Sequence, residues 1–247
     1  MSRIDILNIH FDSVTATEAS DRIFSECKNK KALPFTVVTP NPIMVMNARE
    51  NEKLFTALQN ADLSLADGIG IISAAKRMGT PLPERVTGID TGYAVLEKLA
   101  EIGGSVYLLG AKPGVAEQAA VILTEKLPDL RIVGTRHGYF DNDEEVLSDI
   151  KEKTPDLLVV CLGSPRQEVW ACENKEKLTG VGAVICLGGA LDVWSGRIKR
   201  SPSLFIKMRL EWLWRMIREP KRFANLPKMI KFRYLTRKSR QKGGNIK

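Results

Sequence analysis

Two histidines and four cysteines are few for 247 residues, and their placement excludes more than their number does. Cys27, Cys161, Cys172 and Cys186 form no CxxC pair, and His10 and His137 stand far apart, so no metal centre is expected. Cys161 and Cys186 fall in apolar runs, which reads as reduced core thiols rather than a disulfide framework. Nowhere do about 18 uncharged apolar residues follow one another, so no helix is expected to cross a bilayer. The opening residues, MSRIDILNIHFDSVTATEAS, lack an apolar run followed by a small-residue cleavage site, and no secretory signal is expected there. GxGxxG and GxxxxGK[ST] are also absent, which disfavours NAD-type and P-loop chemistry.

What the chain does have is an uneven distribution of charge. Residues 197–247 hold 17 of the 37 lysines and arginines but only two of the 29 acids, Glu211 and Glu219, a net of +15. The chain as a whole is +8, so the preceding body is net −7. The same tail carries Phe205, Trp212, Trp214, Phe223, Phe232 and Tyr234. Basic residues interleaved with large apolar ones suit a membrane face or a run of stacked bases. After Ser201-Pro202, which reads as a helix cap and first turn, Phe205, Met208, Trp212, Leu213, Met216 and Ile217 share one helical side. Lys207, Glu211, Arg215, Arg218 and Arg222 run down the other. Pro220 is expected to end or kink this helix. Self-association would be one way to hide the apolar side.

In the body, short continuous apolar runs at 35–38, 105–109, 130–134, 156–162 and 183–187 read as buried strands. Helical patterns fall between and around them, at 16–29, 42–60, 91–102, 115–127, 143–153 and 167–177. This alternation predicts an α/β, Rossmann-like, mostly parallel sheet with helices on both faces, over 1–195, and a basic amphipathic appendage over 196–247.

Ligands of such sheets bind in loops leaving the carboxyl ends of the strands. Those loops here are Thr39-Pro40-Asn41-Pro42, Ala66-Asp67-Gly68-Ile69-Gly70, Gly110-Ala111-Lys112-Pro113-Gly114, Gly163-Ser164-Pro165-Arg166-Gln167-Glu168 and Gly188-Gly189-Ala190. Glycines there let backbone N–H groups approach a phosphate. Asp67 could be a general base for a hydroxyl nucleophile, or merely cap a helix starting near Gly68. Thr39 and Asn41 could bond a sugar or phosphate, or their own turn. Gln167 and Glu168 could read ligand hydroxyls, or open a solvated helix. Arg85 could grip a phosphate or form a surface ion pair. Tyr139 could line the cleft or join the core.

In order and spacing, TPNP, LADGIG, ERVTG, LLGAKPG, HGYF, GSPRQE and GGALDVWSGRIKRSP resemble the WecG/TagA/CpsF glycosyltransferase family, as does the EWLWRMIREPKR tail. The similarity covers nearly the whole chain; Arg166 stands where such sequences often carry lysine. It implies transfer of N-acetylmannosamine from UDP-N-acetylmannosamine to the 4-hydroxyl of polyprenyl-diphosphate-linked GlcNAc, in wall teichoic acid or related surface polysaccharide synthesis. It implies an inverting, metal-independent reaction, no cofactor, and a peripheral position on the cytoplasmic face of the membrane. By resemblance Asp67 is the base, and Thr39, Asn41, Arg85, Gly110, Tyr139, Gly163 and Gln167 contact the substrates. Arg215, Arg218 and Arg222 would stand near the diphosphate. Two readings from other classes compete: a nucleic-acid-binding module with a basic arm, and a soluble nucleotide-sugar-modifying enzyme. The acidic body and the one-sided tail aromatics disfavour nucleic acid as the partner.

Overall fold

A computed structural model describes residues 2–199, 201, 202, 205, 208 and 211–243, without the side chains of Arg215, Arg222 and 239–243. Its centre is a six-stranded parallel sheet of order β4-β3-β8-β7-β5-β6. The strands are β3 (Phe35–Val38), β4 (Leu63–Ser64), β5 (Ser105–Gly110), β6 (Arg131–Arg136), β7 (Leu157–Cys161) and β8 (Ala183–Cys186). Continuous burial of β3, β5, β7 and β8 follows from cover on both faces, since successive side chains point opposite ways. By contrast β6, expected to be a buried strand, is only partly buried because it lies at the sheet edge. Val106 and Leu108 join one core with helices α1 (Ala16–Lys28), α5 (Gly88–Ala100), α6 (Val115–Lys126) and α9 (Ala190–Trp194). Tyr107 and Leu109 face the other side, under α7 (Asp143–Lys153) and α8 (Arg166–Glu173).

A third cluster sits at the β3–β4 edge, beneath α2 (Pro42–Ala48), α3 (Glu52–Gln59) and α4 (Ile69–Met78). It includes an antiparallel hairpin, β1 (Arg3–Ile6) and β2 (Ile9–Asp12), absent from the sequence reading. The hairpin turns on Leu7 and Asn8, both at positive φ. Its Asp12 carboxylate accepts from Arg3 Nε and from the Ser64 N–H, both at 2.8 Å, and so braces β4.

The single helix expected over 42–60 is two helices. Asn51 caps α3 by accepting from the Leu54 N–H, so the chain restarts there instead of continuing α2. In the tail, α10 (Glu211–Arg218) ends before Pro220, and a 3₁₀ turn (Pro220–Asn225) leads into α11 (Leu226–Gly243). α11 packs on α4 and α2. Phe232 enters the third cluster, Thr236 is fully buried, and Lys228 bonds Asn47. The tail therefore folds back over the carboxyl ends of β3 and β4.

Candidate active site

Between this tail and the sheet edge lies a cavity of about 490 Å³, bounded by the loops after β3 and β4, by Arg85 and Thr87, and by α10 and α11. Its polar wall begins at the Thr39-Pro40-Asn41-Pro42 loop. Asn41 caps α2, its Oδ1 accepting from the N–H groups of Ile43 and Met44 at 3.0 and 3.1 Å. That is the local turn role weighed for it, and its side chain also borders the cavity. Thr39 is buried one layer below, its hydroxyl 3.4 Å from the Cys186 carbonyl.

Asp67 stands in the loop just after β4, beyond Leu65 and Ala66. The cap of α4 is Gly68, with no side-chain hydrogen bond, so the carboxylate is not the helix cap. Gly68 holds φ at +124°, and a Cβ on Gly70 would stand 2.6 Å from Pro42 Cγ. These two glycines let the start of α4 close onto α2, with Asp67 at the cavity wall. The 85–87 segment is pinned alongside by a bond from the Val86 N–H to the Ala66 carbonyl, 3.2 Å. Arg85 Nη2 consequently lies 3.6 Å from Asp67 Oδ1 and 2.7 Å from Glu211 Oε2 of α10. The pair is mostly buried, not a surface one. Glu211, read from spacing as part of the polar helical side, is buried against the body instead, because its partner lies 126 residues upstream. Met216 is buried too, while Trp212 and Ile217 of the expected apolar side stay exposed.

The remaining predicted residues are not gathered with Asp67. Gln167 is buried, accepting from the Gly163 N–H at 3.2 Å and donating to Glu168 at 2.6 Å, beneath Gly188. Gly110 has φ +133°, and a Cβ there would stand 2.3 Å from the Cys161 carbonyl oxygen, so backbone contact alone demands glycine. Tyr139 is 65% exposed, contrary to a core placement, in the loop after β6. That strand is at the sheet edge opposite β4, about 24 Å away at ordinary strand spacing. Arg166 Nη1 and Nη2 donate to the Gly138 and Phe140 carbonyls at 2.6 and 3.4 Å, and the guanidinium lies over the Phe140 ring. Lysine has no such fork. Arg218 is exposed, and the side chains of Arg215 and Arg222 fall outside the described residues.

Glu168 is buried rather than solvated, and burial pushes its carboxyl above the ordinary glutamate range, against hydrogen bonds from Gln167 and Ser164. A raised folded-state value means the fold holds this proton more tightly than the unfolded chain does. The stability it gives is complete below the unfolded value and is lost as pH rises through the folded one. Glu168→Gln should therefore gain in melting temperature over the native protein as pH rises from about 4 to about 8. A pH-independent difference between the two melting curves would mean that Glu168 does not titrate in this way.

What sequence reasoning missed at the cavity is its cationic end. Arg77 of α4 and Arg233 of α11 both line it, and neither sits in a glycine-rich loop.

Residues 4–245 match the model described as the Glycosyl transferase WecG/TagA/CpsF family. A Staphylococcus aureus (strain MW2) protein named N-acetylglucosaminyldiphosphoundecaprenol N-acetyl-beta-D-mannosaminyltransferase is 31% identical over 243 residues, covering 98% of this chain and 94% of that protein. A Bacillus spizizenii protein of the same name is 34% identical over 197 residues, 78% of this chain and 76% of its own length. With the match running almost end to end, the chain belongs to the WecG/TagA/CpsF glycosyltransferase family.

Proposed function

We propose that the chain transfers N-acetylmannosamine from UDP-N-acetylmannosamine to the 4-hydroxyl of GlcNAc carried on undecaprenyl diphosphate. The observation that carries this reading is Asp67 on the wall of a mostly apolar cavity, beside a cation and roofed by the tail. The names of the relatives support the sugar and the lipid. In this reaction the acceptor oxygen attacks the anomeric carbon from the face opposite UDP and gives its proton to Asp67. The bond to the UDP oxygen breaks in the same step, configuration inverts, and negative charge gathers on the departing phosphate. Arginines, rather than a metal ion, stabilise that charge: Arg85, with Arg215, Arg218 and Arg222 of the tail.

Residues 196–247 serve in this reading as the membrane-docking appendage of a catalytic domain at 1–195, on the cytoplasmic face. Trp212, Ile217, Phe223, Ile230 and Tyr234 are exposed among Arg218, Lys221 and Lys231. Each basic residue near an anionic leaflet contributes about 1 kcal/mol, so a handful in register holds a protein there. No described helix is long and apolar enough to cross a membrane.

Purified protein on anionic liposomes carrying polyprenyl-diphosphate-GlcNAc should consume UDP-N-acetylmannosamine, with chelator present, and give a product of inverted anomeric configuration by NMR. Retained configuration, or a different UDP-sugar preferred in a donor panel, would overturn the assignment. Binding to oligonucleotides at matched salt, with none to liposomes, would favour a nucleic-acid module instead.

A further inference from the structure

α4 starts beside Asp67 and carries Arg77 near its far end. Ile69 and Arg77 are eight residues apart, about 12 Å along the axis. The cavity thus has two polar ends joined by an apolar wall that includes Ile43, Ile69, Met229 and Phe232. At the first end, Arg85 lies between two carboxylates, Asp67 and Glu211. The second end is cationic only, for among the described residues neither Arg77 nor Arg233 has a carboxylate at ion-pair distance. Arg77 Nη2 donates to the Thr236 hydroxyl at 3.3 Å, while its buried Nε–H meets no acceptor. Burial, and then the charges of Arg233 and Arg237, weaken the hold of Arg77 on its proton. The other flank of α11 differs, since Lys228 and Lys231 both approach Glu50 at 3.9 Å. Arg233 and Arg237 are exposed, so solvent screens part of their repulsion; an anion held among the three side chains would relieve the rest and give the orphaned Arg77 donor an acceptor.

We propose that Arg77 and Arg233, with Arg237 beside them, bind the diphosphate of the acceptor lipid, and that the apolar wall takes its first isoprene units. This rests on the sugar-transfer reading of the same cavity. A GlcNAc whose 4-hydroxyl meets Asp67 carries its anomeric diphosphate on the opposite side of the ring, toward the far end of α4. The chain leaving that diphosphate is apolar, as are Met229, Ile230 and Phe232, and Ile230 is 63% exposed at the rim. A nucleotide in this orientation would press ribose and uracil against those side chains, where neither finds hydrogen bonds.

The test titrates the full-length protein with farnesyl diphosphate, farnesol and UDP, in the native form and as Arg77→Gln and Arg233→Gln. Farnesyl diphosphate should bind the variants about 10- to 100-fold more weakly, the range for a lost charge-assisted contact, with farnesol and UDP unaffected. Arg77→Lys should recover part of the loss, keeping the charge without the fork. In turnover, KM for polyprenyl-diphosphate-GlcNAc should rise by a similar factor while KM for the nucleotide sugar holds. Unchanged farnesyl diphosphate binding overturns the proposal. So does a parallel loss of UDP affinity, which would assign these arginines to the nucleotide. Melting curves and the UDP titration identify a variant that has merely misfolded. Arginine-dependent farnesyl diphosphate binding without any sugar transfer would keep the lipid site and remove the transfer reading.

Discussion

Asp67→Ala should lower the transfer rate by about 10²- to 10⁴-fold, the range for loss of a positioned general base, while the melting temperature stays near that of the native protein. Both halves of this expectation come from the surroundings of the carboxylate. It caps no helix, so its removal frees no α4 backbone donor. Its neighbour Arg85 keeps the shorter contact, 2.7 Å to Glu211, so the variant buries no unpaired cation. What disappears, on the proposed mechanism, is the proton acceptor at the cavity wall. Asp67→Asn should fail nearly as badly, because the amide preserves shape and hydrogen bonding but not basicity. A folded Asp67→Ala enzyme working at the native rate would remove the base from this residue and the mechanism with it.

Phe232→Ala should have the largest effect on the fold at the cavity. Truncating a buried phenylalanine costs about 3–5 kcal/mol where the surroundings cannot collapse, a large share of a domain's total stability. Phe232 is 2% exposed and packs in the cluster that holds α2, α4 and the β1–β2 hairpin. The body has its own sheet and two further clusters, so the cheaper response is for α11 to release. Trypsin should then cut at Lys228 or Lys231 in Phe232→Ala while the sheet domain resists. Activity on the lipid acceptor should fall together with that protection. Phe232→Leu, which keeps most of the buried surface, should protect the tail nearly as well as phenylalanine. An alanine variant whose tail stays protected would show that α11 is held by other contacts, such as Lys228 to Asn47.

The sheet was legible because its inner strands β5, β7 and β8 are apolar runs, a pattern that burial on both faces imposes, whereas the edge strand β6, Arg131–Arg136, is only partly buried. The hairpin was not, since its turn uses Leu7 and Asn8 at positive φ instead of the glycine that usually signals such a turn. The break inside 42–60 was written in Asn51, but an asparagine within a helical pattern reads equally well as a solvated position. At the site, the position of Asp67 after a short strand, before Gly-Ile-Gly, could be read directly. Its relation to Arg85 depends on one backbone bond between segments 20 residues apart, Val86 to Ala66, which no periodicity reveals. Glu211 shows the limit most plainly. Helical spacing puts it among the solvated charges, and only the fold brings it to Arg85. Tyr139 and Gly110 looked like site residues because every strand of a parallel sheet ends on the same side. Strand order then decides which ends are neighbours.

The Arg85–Glu211 contact has a further consequence, for the fate of the donor sugar. A carboxylate able to take a proton from a sugar hydroxyl can take one from water equally well. With the tail lifted, Asp67 faces solvent, and a bound nucleotide sugar would be open to hydrolysis. With Glu211 seated on Arg85 and Met216, Met229 and Phe232 around the cavity, the tail covers most of the carboxylate, leaving its side chain 31% exposed. On the proposed mechanism, the ion pair between the body and the first turn of α10 would thereby bear on whether the sugar goes to the lipid or is lost to water.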